Sequence, residues 1–149
     1  IFITKVRKQK DIYYKYIVFS IINFIIALVL VCFYFVLSND YLLFISGFIF
    51  LLGFLTPIIT AHLYKIIPFL VWFHRFSSLV GKQKVPMLAD MVPVKSSDFG
   101  FAFYLLGFIL SLIAFIFSSD ILFKSAVSFL FVGTSFIVKD VFYIINFKG

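Results

Sequence analysis

Three runs without a single charged side chain set the terms on which this sequence can fold. Between Lys15 and Asp40 lie 24 residues free of Asp, Glu, Lys and Arg, between Asp40 and Lys65 another 24, and between Asp98 and Asp120 a further 21. A helix rises about 1.5 Å per residue and the hydrocarbon core of a bilayer is about 30 Å thick, so roughly 20 residues cross it. Each run is long enough, and a fourth, weaker apolar stretch follows the third. The expected fold is all-α, a polytopic transmembrane helix bundle of four spans. Residues 1–149 read as a single transmembrane domain with the lipid bilayer as its first partner.

Composition closes off the soluble alternatives. With 64% hydrophobic and 13% charged residues, the chain cannot clothe a water-soluble core in polar surface. The net charge of +7 does not point to nucleic acid, because the basic residues flank apolar runs instead of forming one continuous patch. Cys32 is the only cysteine, so no internal disulfide forms, and its place in an apolar run predicts a small buried hydrophobe. The chain starts at Ile1, and residues 17–37 are too long and lack the small-residue site of a cleaved signal peptide. These features predict the later part of a longer membrane protein, packed against missing N-terminal helices or other membrane subunits. The wealth of Phe, Ile, Tyr and Lys fits an AT-rich bacterial genome.

The expected spans are residues 17–37, 41–64, 99–117 and 121–138. Ser38-Asn39-Asp40 and Ser118-Ser119-Asp120 are tight polar turns. Apolar character continues from 66 to 76, and one helix over 41–76 would be about 54 Å long, too long for an upright crossing. Pro57 and Pro68 each remove a backbone donor, so the segment after the second span is expected to bend away along the membrane surface. Residues 77–98, with Gly81, Pro86 and Pro93, form the longest loop. Lys124 lies near the start of the fourth span, where it can snorkel, and Lys139 and Asp140 mark its other interface. No internal repeat or low-complexity segment stands out along the sequence.

Positive charge alternates from one connection to the next. Lys5, Arg7, Lys8, Lys10 and Lys15 precede the first span, Arg75, Lys82, Lys84 and Lys95 surround the long loop, and Lys139 and Lys148 lie near the end. The two short turns carry no basic residue. Cytoplasmic connections collect Lys and Arg, so both ends and the long loop are expected on the cytoplasmic side of a bacterial inner membrane.

Few residues here carry chemistry. There is no Glu, and all six Asp are expected at span ends or in loops. Gly81-Lys82 lacks the remaining residues of a phosphate loop. Asn23, the one strongly polar residue inside the first span, is expected to bond a neighbouring helix. Gly107, Ser111, Ala114 and Ser118 recur at helical spacing, which predicts a packing seam. Tyr64, Lys65, Trp72 and Arg75 fall on one side of a straight helix and read as an interfacial anchor. His62 and His74 stand 12 residues apart, about 18 Å and 120° on a straight helix, so they cannot share one metal. His62, within a charge-free run, is the candidate cofactor and metal ligand; the plainer reading is a hydrogen-bonded packing histidine near the inner interface. His74, beside Arg75, reads as a surface residue.

The stretch from His62 through Lys65, Pro68, Trp72 and His74, continuing to Gly81-Lys82-Gln83-Lys84-Val85-Pro86, resembles the C-terminal part of bacterial membrane proteins related to subunit I of heme-copper oxidases. The resemblance implies a multi-helix bundle in which His62 faces heme, and a heme-associated respiratory role. The further histidines of such a centre are absent from this sequence. The alternative is a structural or transport-related membrane bundle without a cofactor.

Overall fold

The computed structural model of the chain describes residues 11–149. Four helices among them are long and apolar enough to cross a membrane: Ile12–Leu37, Asp40–Leu79, Val94–Phe117 and Asp120–Ile145. No strand occurs among the described residues, and the chain is all-α. Lys5, Arg7, Lys8 and Lys10 lie outside the described residues. The chain divides into two compact units that meet between His62 and Leu63.

The first unit is a hairpin. Helix α1 (Ile12–Leu37) starts five residues before the expected span, because the Asp11 carbonyl accepts the N–H groups of Tyr14 and Lys15 and so opens the first turn. It ends where Ser38 adopts the left-handed conformation, φ 50°, and returns its N–H to the Tyr34 carbonyl at 2.8 Å. Asn39 then caps α2 (Asp40–Phe48) by accepting the Tyr41 N–H at 3.0 Å. The buried face of α1 carries Tyr16, Ser20, Asn23 and Ala27, while Ile21, Ile22, Ile25, Val29 and Phe33 are exposed. In water so much contiguous apolar surface would drive aggregation; in hydrocarbon it is the ordinary outer face of a span.

Two expectations are corrected in this hairpin. Asn23 does not reach a neighbouring helix: its Nδ2 donates to the Phe19 carbonyl one turn back, 2.8 Å away. Its own helix thus supplies the partner. Cys32 is exposed, not buried, because it shares the outer face with Phe33 and Val29, where a weakly polar thiol meets lipid without cost to packing.

After α2 the helix widens into a π-helical stretch, Ile49–Leu55, before α3 (Thr56–Phe76). Pro57 explains the widening. Its ring crowds the preceding turn and it has no N–H to give. Thr56 instead sends both its N–H and its Oγ1 to the Leu51 carbonyl five residues back, the hydroxyl at 2.9 Å. Helical structure therefore continues unbroken from Asp40 to Leu79, 40 residues. The expected departure of the chain after the second span is not a break in the helix, since one widened turn absorbs the first proline.

The second unit begins on α3 at Leu63. A short 3₁₀ turn (Ser77–Leu79), a turn at Gly81 with φ 83° and a second 3₁₀ turn (Leu88–Met91) lead to α4 (Val94–Phe117). The loop is shorter than expected, because Ser97 already donates its N–H to the Pro93 carbonyl. Met91 is fully buried and fastens the loop. Ser118 repeats the left-handed helix end, φ 49°, and Ser119 caps α5 (Asp120–Ile145). Helix α5 runs well past residue 138, so Lys139 and Asp140 lie inside it.

Helices α4 and α5 touch backbone to backbone. A Cβ added at Gly107 would fall 2.7 Å from the Leu130 nitrogen, one at Gly133 would fall 2.7 Å from the Tyr104 nitrogen, and one at Gly100 2.9 Å from Phe136 Cβ. Ser111 and Ala114 continue the seam, both buried, and Ser111 Oγ donates to the Gly107 carbonyl at 2.8 Å. The predicted seam therefore exists, except at Ser118, which is exposed at the helix end. Gly100 and Gly133 belong to it as well. Since lipid tails are as apolar as the side chains, close packing is what holds two such helices together. Gly107→Ala and Gly133→Ala should each destabilise the protein by about 1–3 kcal/mol through overpacking. Gly47→Ala, where a Cβ meets nothing within 4 Å, should be neutral or stabilising. Thermal unfolding in detergent reads all three.

Candidate functional site

The second unit contains one fully buried carboxylate. Asp140 on α5 is 0% exposed, and each of its oxygens accepts a hydroxyl from a different helix. Tyr64 on α3 donates to Oδ2 at 2.7 Å, and Ser96 on α4 donates to Oδ1. The Ser96 oxygen in turn accepts from Lys139 Nζ at 3.5 Å, and the ammonium stands 5.3 Å above the Phe136 ring. A carboxylate removed from water needs donors on both oxygens, and α3 and α4 supply them here to the side chain on α5. The ammonium lies outside, on an exposed residue, with one hydroxyl between it and the buried charge.

Sequence reasoning placed Asp140 at an interface, beside Lys139, and missed this cluster. The two neighbours point in different directions: Lys139 is exposed and Asp140 is enclosed. Adjacent charged residues on a helix are about 100° apart, which is the signal that one of them could turn inward. Tyr64 is likewise corrected. It is buried at 5% exposure and serves Asp140 instead of anchoring at the interface. Trp72 donates Nε1–H to the Pro86 carbonyl at 2.9 Å and ties the loop to α3. Arg75 donates to the Phe147 carbonyl, and Phe76 packs against the Phe147 ring. Lys65, the fourth of the expected anchor residues, is exposed.

His62 lies on α3 in the first unit and is exposed. Its Nδ1 is 2.7 Å from the Ile58 carbonyl, and its ring meets Tyr13 edge-on at 5.9 Å. A carbonyl accepts only from N–H, so Nδ1 carries the proton in the neutral ring and Nε2 keeps the lone pair. His74 is also exposed, with Nδ1 2.9 Å from the Leu70 carbonyl. No group of three or more His, Cys, Asp or Glu among the described residues is placed to hold a metal ion. The two features single out different places: His62 offers one outward nitrogen, and Asp140 is a closed polar cluster.

No protein-family model, no curated protein and no solved structure matches the chain. The functional reading therefore rests on the residues themselves.

Proposed function

We propose that this multi-pass membrane protein is a component of a heme-associated respiratory assembly and that His62 is the residue through which it meets heme. His74, beside Arg75, makes the same kind of Nδ1 contact, and what carries the reading is the place of His62 in a run free of charged side chains. The His62 Nδ1–H is held by the Ile58 carbonyl at 2.7 Å, which fixes the ring and leaves Nε2 as the ligating nitrogen. The resemblance of the His62–Pro86 stretch to oxidase subunit I supports the same reading. His62 alone would hold the heme from this chain's described residues, and any further ligand would have to be supplied from elsewhere. A heme bound there would supply electron transfer, and the protein's part would be to orient the imidazole through the Ile58 carbonyl and the Tyr13 ring.

A second reading, a structural or transport-related bundle without cofactor, is favoured by the Asp140 cluster, whose hydrogen bonds to Tyr64 and Ser96 involve neither histidine. One experiment separates the two. The protein purified from heme-replete cells should show a Soret band that His62→Ala weakens strongly and His74→Ala leaves nearly intact. Absence of the band in the wild type, or its full retention in His62→Ala, contradicts the heme reading and leaves the cofactor-free one.

The same proposal places the protein in a bacterial inner membrane with the loop around Lys82 and both ends in the cytoplasm, on the strength of the basic residues that flank the spans. In a Cys32→Ser background, Ser38→Cys should react with a membrane-impermeant thiol reagent from the periplasmic side and Gln83→Cys should not. Periplasmic labelling of Gln83→Cys would overturn the orientation.

A further inference from the structure

The two short turns are built alike. Ser38 and Ser118, 80 residues apart in sequence, end their helices at φ 50°, ψ 39° and φ 49°, ψ 41°. The following caps, Asn39 and Ser119, have φ −103°, ψ 107° and φ −103°, ψ 112°, and each precedes an Asp that opens the next helix. The likeness extends along both hairpins at the same offset. Ser20 and Gly100, Ala27 and Gly107, Ser46 and Ala126, Gly53 and Gly133, and Pro57 and Ile137 are matching positions, and all of them are buried. Leu30 and Leu110, Phe35 and Phe115, and Gly53 and Gly133 keep the same residue. Apolar residues that exchange freely in hydrocarbon erase such a repeat from the identities, while the turn geometry and the buried register preserve it.

One matched pair differs in kind. Thr60 corresponds to Asp140, and both are buried. Thr60 Oγ1 donates to the Thr56 carbonyl of its own helix at 2.9 Å, so this inner position does not itself require a carboxylate. Asp140 instead uses both oxygens outside its helix, on Tyr64 of α3 and Ser96 of α4. We infer that the two hairpins are copies of one helical module, and that in the second copy Asp140 has become a latch holding α3 to the α4–α5 pair. The latch is independent of heme: it joins residues of the second unit alone.

Amide hydrogen exchange on the full chain in detergent tests the inference. Asp140→Thr installs the first copy's residue, whose hydroxyl can close on the Phe136 carbonyl as Thr60 does on Thr56. Exchange in the part of α3 from Leu63 to Phe76 should then quicken about tenfold, the effect of losing a buried hydrogen bond to a charged group. The central amides of α4 and α5 should keep wild-type protection. Tyr64→Phe removes the same bond while sparing the carboxylate, and it should give the same selective loss on α3. If Asp140→Thr strips protection from α4 and α5 equally, or prevents folding, the position is not interchangeable between the copies and the repeat fails. If α3 keeps its protection in Tyr64→Phe, the latch fails.

Discussion

In hydrocarbon a backbone N–H or carbonyl has no water to turn to, and everything in this chain follows from that constraint. A run that crosses the bilayer must therefore pair its own N–H and carbonyl groups, which forces the long apolar runs into helices. The same constraint explains how the helix beginning at Asp40 survives two prolines. Pro57 has no N–H to give and its ring crowds the turn before it, so that turn widens, and within it the Leu51 carbonyl accepts both the N–H and the Oγ1 hydroxyl of Thr56. Even polar side chains obey it. Asn23, Ser20, Ser46, Thr60 and Ser111 each return a hydrogen bond to a carbonyl of their own helix, so none depends on a neighbouring helix for satisfaction.

Once every helix is self-sufficient, association has to come from elsewhere, and the second unit shows two sources. The first is shape: glycines at positions 100, 107 and 133 let α4 and α5 approach until side-chain-free backbone meets backbone. The second is the Asp140 cluster, the clearest case among the described residues where an enclosed side chain is satisfied by other helices. Breaking a buried charged hydrogen bond leaves the carboxylate without a partner, which costs more than the bond contributes when intact. A single Asp can therefore hold three helices in one register although most of the surface around it is interchangeable.

The sequence announces the spans because hydropathy is a property of runs, and runs are what a bilayer selects. The helix ends at the two short turns, Leu37 and Phe117, were legible, whereas α1 and α4 each start five residues before the expected span and α5 runs past its expected end, because the charged residues Lys15, Lys95, Asp98, Lys139 and Asp140 are helical. The Gly107 seam could be read from its spacing, whereas Gly100 and Gly133 gave no separate signal until their partners were known. Asp140 was hidden for a physical reason. A charge beside another charge looks like an interface, and only the fold shows that Tyr64, 76 residues earlier, donates to it. The repeat was invisible for the opposite reason: many apolar side chains serve a lipid-facing position equally well, so little identity is retained.

The central claim is that the exposed apolar faces of these helices meet lipid. Spin labels placed singly at Ile25 and Val29, both exposed on α1, in a Cys32→Ser protein reconstituted into phospholipid vesicles, test it most directly. Collision with dissolved oxygen should be frequent and collision with a water-soluble nickel chelate rare at both sites, while a label at Lys82 in the loop should show the reverse. Ready access of the nickel reagent to Ile25 and Val29 would contradict the account.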